Sequence, residues 1–321
     1  MDDYTIATNS NQYYKDLVSH FKKSVEVEEK GRPTNILQMG LEWSPNFDKV
    51  TFSQKRQIMK LYNEYKASIQ EHKVKRHDTP MESELKLYPG DANELPPTAK
   101  EYRAVVGALL FIARISRPDI LYAVNMLNRF CTCYTTLHWK CVLRVVVYLY
   151  HTSDLSLSYA TNQKARPLLG YADSSHGDDK QDGTSTCGYL VYFYGNLLTW
   201  AVAKQLDVSL STSEAEYKTL THAFREIMYI HNIMHEELGF KSWFPCLLLI
   251  DNQGAGYMAE TQQNNKRTKH IHISYHYIRE KIQQKAVELD RIESANNISD
   301  VCTKPLPKGT FQKFRQLMGV L

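Results

Sequence analysis

The sequence is poor in the features that hold a chain outside the cell or in a membrane. Its six cysteines stand at 131, 133, 141, 187, 246 and 302. They form no Cys-x-x-Cys pair and no even framework in a small domain, so reduced thiols in an intracellular protein are expected. No apolar run approaches the roughly 18 residues that a membrane helix requires. No basic-then-apolar leader follows Met1-Asp2-Asp3, and so no secretory signal is expected. Charge of one sign is also lacking: the net value is only +4, which points to no particular partner. Low-complexity tracts are absent too. With 43% hydrophobic and 23% charged residues, the composition excludes a disordered chain and provides for a real core.

A length of 321 residues is generous for one core and suits two modest domains. Residues 1–52 read as short extended pieces with a helix around Lys15–Lys23, broken at Gly31-Arg32-Pro33 before the apolar Ile36-Leu37-Gln38-Met39. Residues 53–75 are polar with a helical period, and a Pro- and Glu-rich loop follows across Thr79–Thr98. Three apolar helical stretches come next, Val105–Ala113, Asp119–Phe130 opened by Pro118 in a first-turn position, and Trp139–Leu149. They predict a compact helical unit. The polar segment Thr152–Arg166 is the expected domain boundary.

Beyond it the period changes from helical to alternating. Leu168–Asp173, Thr186–Tyr194 and Leu197–Ala203 read as a three-stranded meander, the last two joined through Gly195-Asn196. A long helix from Ser213 carries Ala215, Leu220, Ala223, Phe224, Ile227, Ile230 and Met234 on one stripe, and Gly239 ends it. Cys246–Ile250 is a continuous apolar run, as in a buried parallel strand. Asp251 stands at its end, where active sites of α/β sheets gather. A helical segment at His276–Gln284, a strand at Val287–Ile292 and a terminal helix complete a βββαβαβα order.

Four acids in this half suit metal-assisted phosphodiester hydrolysis, which needs oxygen ligands around two divalent ions. Asp173 is expected mid-strand, Asp251 at the end of the adjacent strand, Glu216 on the first turn of the helix and Asp300 at the start of the last helix. Mg²⁺ prefers such carboxylates with water. Basic and acidic residues nearly balance beyond residue 160. Two bound cations would leave that surface basic, as a nucleic-acid backbone requires; a mixed solvated surface explains the same balance.

Tyr171-Ala172-Asp173, Ser185-Thr186-Cys187-Gly188-Tyr189, Ser211–Tyr217, Asp251-Asn252-Gln253, Arg267–Ile271, Tyr275–Glu280 and Asp300–Pro307 occur in an order that resembles the ribonuclease H region of copia-type LTR retrotransposon polyproteins. The N-terminal part resembles the end of the reverse transcriptase of the same family, through Met1-Asp2-Asp3, Met39-Gly40-Leu41, Thr79-Pro80-Met81, Tyr102-Arg103 with Val106-Gly107, and Arg117-Pro118-Asp119-Ile120. The resemblance implies a ribonuclease H-like mixed five-stranded α/β sheet over residues 161–321, a partial α+β reverse-transcriptase palm over 1–65 and a helical thumb or connection region over 66–160. It further implies that Asp173, Glu216, Asp251 and Asp300 bind two Mg²⁺ or Mn²⁺ ions. Glu214 is the competing candidate for the helix position. Glu216 is preferred because Tyr217 supplies the bulky core residue after it, while Glu214 suits the helix N-terminus.

Asp2 and Asp3 read as a vestigial polymerase motif, since the upstream carboxylate that two-metal nucleotidyl transfer needs is missing from the chain. Lys204, Gln205, Arg267 and Lys269 are candidate nucleic-acid contacts, weighed against solvated loop charges. His231 and His235 lack the His-Glu-x-x-His pattern and a third ligand, so packing is preferred to a metal site. His270 and His276 are read as packing or hydrogen-bonding groups, and Trp139 and Trp200 as core residues. The expected function is hydrolysis of the RNA strand of an RNA–DNA hybrid, read by hybrid shape and 2′-hydroxyls. An intact retrotransposon polyprotein is a second expected partner. The expected place is the cytoplasm, in an element-derived particle, or the nucleus, with no membrane association. A transposase or integrase, which would end with Glu on its final helix, and a non-catalytic truncated relic are the alternatives.

Overall fold

The computed structural model describes residues 5–6, 8, 10–91, 99–241, 243–261 and 271–321. Asp2, Asp3, Arg267, Lys269 and His270 lie outside the described residues. The first element is α1 (Asn11–Phe21), capped by Ser10, whose hydroxyl accepts from the Tyr13 N–H at 3.1 Å. Strands β1 (Asn35–Ile36), β2 (Met39–Trp43) and β3 (Lys49–Ser53) follow as antiparallel neighbours. Helices α2 (Lys55–Glu71), α3 (Ala99–Ile115), α4 (Leu121–Asn128) and α5 (Thr136–His151) come next. The expected division at residue 65 therefore falls inside α2, whose Ile58, Leu61, Tyr65 and Ile69 form one buried stripe.

Pro118 opens a single 3-10 turn ahead of α4. Its neighbours Arg117 and Asp119 are both buried and clasp each other at 2.9 and 2.8 Å. Arg117 also donates to the Thr152 carbonyl at 3.1 Å and hydroxyl at 2.8 Å, and the Tyr148 hydroxyl donates to Asp119 at 2.6 Å. Burial works against both charges. The guanidinium nevertheless holds the Asp119 carboxyl below its ordinary value, and Asp119 raises Arg117. The Arg-Pro-Asp-Ile run is thus a buried staple between the start of α4 and the end of α5.

The expected boundary across Thr152–Arg166 contains β4 (Leu157–Ala160), which adds to the N-terminal sheet in the order β1-β2-β3-β4. The second sheet holds β5 (Leu168–Ser175), β6 (Thr186–Phe193), β7 (Asn196–Lys204), β8 (Cys246–Ile250) and β9 (Val287–Arg291) in the order β7-β6-β5-β8-β9. The first three run antiparallel, and β8 and β9 are parallel to β5. Tyr194 and Gly195 both have positive φ (46° and 77°), which gives the tight β6–β7 turn the hand that matches strand twist. Helix α6 (Thr212–Asn232) lies on one face of this sheet. Gly170 lets it come close, because a Cβ there would meet Leu248 Cδ1 at 2.7 Å and Ile227 Cδ1 at 2.9 Å. Helices α7 (Gln253–Glu260), α8 (Tyr277–Gln283) and α9 (Lys308–Leu317) complete the described elements, α7 being one more than the expected order contains.

The sheet's other face is covered by the helical unit. Leu190, Tyr192, Leu197 and Val202 of the sheet share one core with Val106, Leu127, Val146 and Tyr148, and with Phe311 and Phe314 of α9. Polar bonds cross the same seam: Trp200 Nε1 donates to Ala113 O at 2.9 Å and Asn125 Nδ2 to Val202 O at 3.0 Å. Trp139 is also a core residue, as expected, with Nε1 on Ser68 Oγ at 3.0 Å. The two halves are therefore joined by apolar burial rather than by a linker alone. Among the described residues, no helix is long and apolar enough to cross a membrane.

Candidate active site

Four elements converge near the middle of the second sheet. Asp173 belongs to β5, opposite Gly188 of β6. Asp251 directly follows β8, the parallel neighbour of β5. Asp300 sits in a 3-10 turn, Ile298–Cys302, and not at the start of the last helix as expected. Pro305 and Pro307 separate that turn from α9. Buried Asn297 caps the turn and donates to the Ala172 carbonyl at 3.2 Å, tying it onto β5. Gly188 allows the approach, since a Cβ there would collide with Cys302 and come within 2.9 Å of Thr303 Cγ2. Asp173, Asp251 and Asp300 each offer an oxygen, and these oxygens all lie within 4.8 Å of one another.

Glu216 is the fifth residue of α6, just past the first turn where it was expected because the helix begins one residue earlier, at Thr212, and it accepts from the Ser174 N–H at 3.1 Å. It is outside the group of three oxygens but beside Asp173. Burial raises its carboxyl well above the ordinary range and the Asp173 charge adds to this, while the Ser174 N–H opposes. Asp300 is raised by the same two causes, against the pull of Lys304. Glu214 has a different environment. It faces Lys218 at 2.9 Å, both side chains being almost fully buried, and it accepts from the Leu210 N–H at 3.0 Å. Its position is the helix N-terminus, where Ser211 is the cap.

The donor set is made of hard carboxylate oxygens with few compensating groups. Thr303 Oγ1 donates to Asp173 Oδ2, and the Lys304 ammonium lies 2.8 Å from Asp300 and 3.9 Å from Asp173. Among the described residues, Lys304 is the ammonium that faces these carboxylates, and hard oxygens of this kind fit Mg²⁺ or Mn²⁺. Neither Thr303 nor Lys304 was singled out by the sequence reading. Their signal was adjacency to Asp300 within Asp300–Pro307, because the Thr303 and Lys304 N–H groups both return to the Asp300 carbonyl at 3.1 Å.

The remaining candidates separate. Gln205 is buried, donating to the Ala215 carbonyl at 2.8 Å and accepting from Ser209 Oγ at 2.8 Å. Its expectation as a phosphate contact is corrected: the amide fixes the β7–α6 connection. Lys204 is one-third exposed and pairs with Asp179 and Asp182, each at 2.7 Å. His276 Nδ1 lies 2.8 Å from the Tyr217 hydroxyl, and burial lowers its pKa. His231 stacks on Phe244 at 3.8 Å, while His235 Nδ1 meets the Phe240 carbonyl at 2.7 Å. Neither belongs to a metal-competent group among the described residues.

This strand order, with carboxylates from β5, the end of β8 and α6, defines a ribonuclease H-like α/β domain joined to a helical unit. No family model matches the chain. Over 244 residues it is 34% identical to the retrovirus-related Pol polyprotein from transposon RE2 of Arabidopsis thaliana, covering 76% of this chain and 16% of the relative. Over 228 residues it is 30% identical to the transposon Ty5-1 protein of Saccharomyces cerevisiae, covering 71% of this chain and 72% of that one. The chain belongs to the retrovirus-related Pol polyproteins of copia-type transposons. It spans only 16% of the length of the Arabidopsis polyproteins it matches. Among solved structures, LC11-RNase H1 in complex with RNA/DNA hybrid is similar over 42% of this chain and 93% of that one, with 13% identity and a TM-score of 0.32.

Proposed function

We propose that the chain hydrolyses the RNA strand of RNA–DNA hybrids. The convergence of Asp173, Asp251 and Asp300 within 4.8 Å, with Glu216 beside Asp173, carries this reading. Membership of the Pol family supports it.

Asp173 and Asp251 would hold both divalent ions, with Glu216 serving departure of the leaving oxygen and Asp300 activation of the attacking water. When bound, Mg²⁺ or Mn²⁺ supplies an activated water and neutralises charge at the leaving oxygen. The chain's own contribution is to hold the oxygens in place. Asn297 fixes the Asp300 turn, the Ser174 N–H orients Glu216, and Thr303 orients Asp173. Residues 161–321 then carry the chemistry, and residues 66–160 act as the helical support under the sheet. Recognition of a hybrid would rest on backbone shape and 2′-hydroxyls. An intact polyprotein is the proposed larger partner.

The test is the purified full chain with a labelled RNA–DNA hybrid, because the shared core gives no reason to expect residues 161–321 to fold alone. Cleavage that requires Mg²⁺ and vanishes in Asp251→Asn supports the reading. Cleavage that is absent from the wild-type chain, or retained by the variant, sinks it.

A further inference from the structure

We infer that Lys304 is an internal stand-in for a metal ion: its ammonium holds the carboxylate cluster together while no ion is bound and must move aside when one binds. This rests on the nuclease reading of the cluster and extends it to the state before metal arrives.

The geometry is specific. Lys304 Nζ lies 2.8 Å from Asp300 Oδ1 and 3.9 Å from Asp173 Oδ2, so it faces two of the three carboxylates grouped as possible ligands. The backbone around it is fixed. The Lys304 N–H donates to the Asp300 carbonyl at 3.1 Å, closing an i, i+4 turn, and Pro305 restricts the conformation of the residue before it. The side chain has the opposite character, being 45% exposed. A flexible four-carbon stem on a pinned turn can swing its charge outward without disturbing Asp300. Among the described residues, Lys218 is instead committed to Glu214 at 2.9 Å and Lys204 to Asp179 and Asp182 at 2.7 Å.

A monovalent ammonium and a divalent ion cannot share the same oxygens without strong repulsion. Every metal-binding event therefore includes the displacement of Lys304. Removing its charge should strengthen metal binding and weaken the metal-free protein.

Isothermal titration of metal-free full chain with Mn²⁺ tests this, with wild type, Lys304→Gln, Lys304→Arg and Asp251→Asn compared. Lys304→Gln should bind about ten-fold more tightly, equivalent to about 1.4 kcal/mol. Lys304→Arg, which keeps the charge, should stay near wild type. In EDTA, Lys304→Gln should melt about 2–4 °C below wild type, and the gap should close in saturating Mg²⁺. Equal or weaker Mn²⁺ affinity in a folded Lys304→Gln overturns the inference. If wild type itself binds no metal, or Asp251→Asn binds equally well, the nuclease reading fails instead.

Discussion

Replacing Asp119 with alanine should destabilise the protein severely although the residue lies in no candidate site. The change leaves Arg117 with its charge buried at 1% side-chain exposure and its two carboxylate bonds, at 2.8 and 2.9 Å, gone. Tyr148 loses its 2.6 Å acceptor as well. Stranding one partner of a buried ion pair typically costs about 3–5 kcal/mol, whereas replacing both partners by apolar groups is close to neutral. Asp119→Ala should therefore lose about 3–5 kcal/mol, and the double variant Arg117→Met/Asp119→Ala should recover a large part of it. Urea unfolding at pH 7 measures both. A loss below about 1 kcal/mol for the single variant, or strict additivity in the double, would refute the claim that this pair staples α4 to α5.

The two glutamates of α6 should respond in opposite ways. Glu216 is raised by burial and by Asp173, so its contribution is full at low pH and is lost as pH rises through its folded value. Glu216→Gln should thus stabilise metal-free protein at pH 8 by more than about 1 kcal/mol. Glu214→Gln removes the buried partner of Lys218 and should destabilise it; thermal melts in EDTA separate the two. His138 is buried with its pKa lowered to about 4, and Nδ1 accepts the Thr135 N–H at 3.0 Å, which requires the neutral ring. The unfolded chain binds the extra proton between pH about 6.5 and 4, so stability should fall by about 3 kcal/mol as pH drops through that window. His138→Gln should flatten the fall, and an unchanged slope would count against it. Gly188→Ala should force the Asp300 turn away from β6, costing about 1–3 kcal/mol and weakening Mn²⁺ binding, as melts and titration can report.

Much of the second sheet is written in local pattern. β5, β6 and β7 alternate, with a turn read at Gly195-Asn196 that the structure places one residue earlier at Tyr194-Gly195, and β8 is a continuous apolar run, so period and punctuation largely suffice. β4 was hidden because its four residues sit in the polar segment taken as a boundary, and only pairing with distant β3 makes them a strand. The shared core was equally illegible. Periodicity says that Val106, Val146 and Leu190 are buried, but not that they meet. At the candidate site, acid types and their strand-end positions were visible, while the placement of Asp300 depended on Asn297 and Gly188. Gln205 was misread because its neighbour Lys204 is charged, whereas its amide serves the helix start across the turn. A lysine four residues after an acid usually reads as a surface pair, which is why Lys304 drew no notice.

The central claim concerns which strand is cut and by which residues. One hybrid, labelled first on its RNA strand and then on its DNA strand, should be offered to the full chain with Mg²⁺ and to Asp251→Asn beside it. Shortened RNA, intact DNA and an inert variant are the predicted result. Equal cutting of both strands, or equal cutting by Asp251→Asn, would contradict the account.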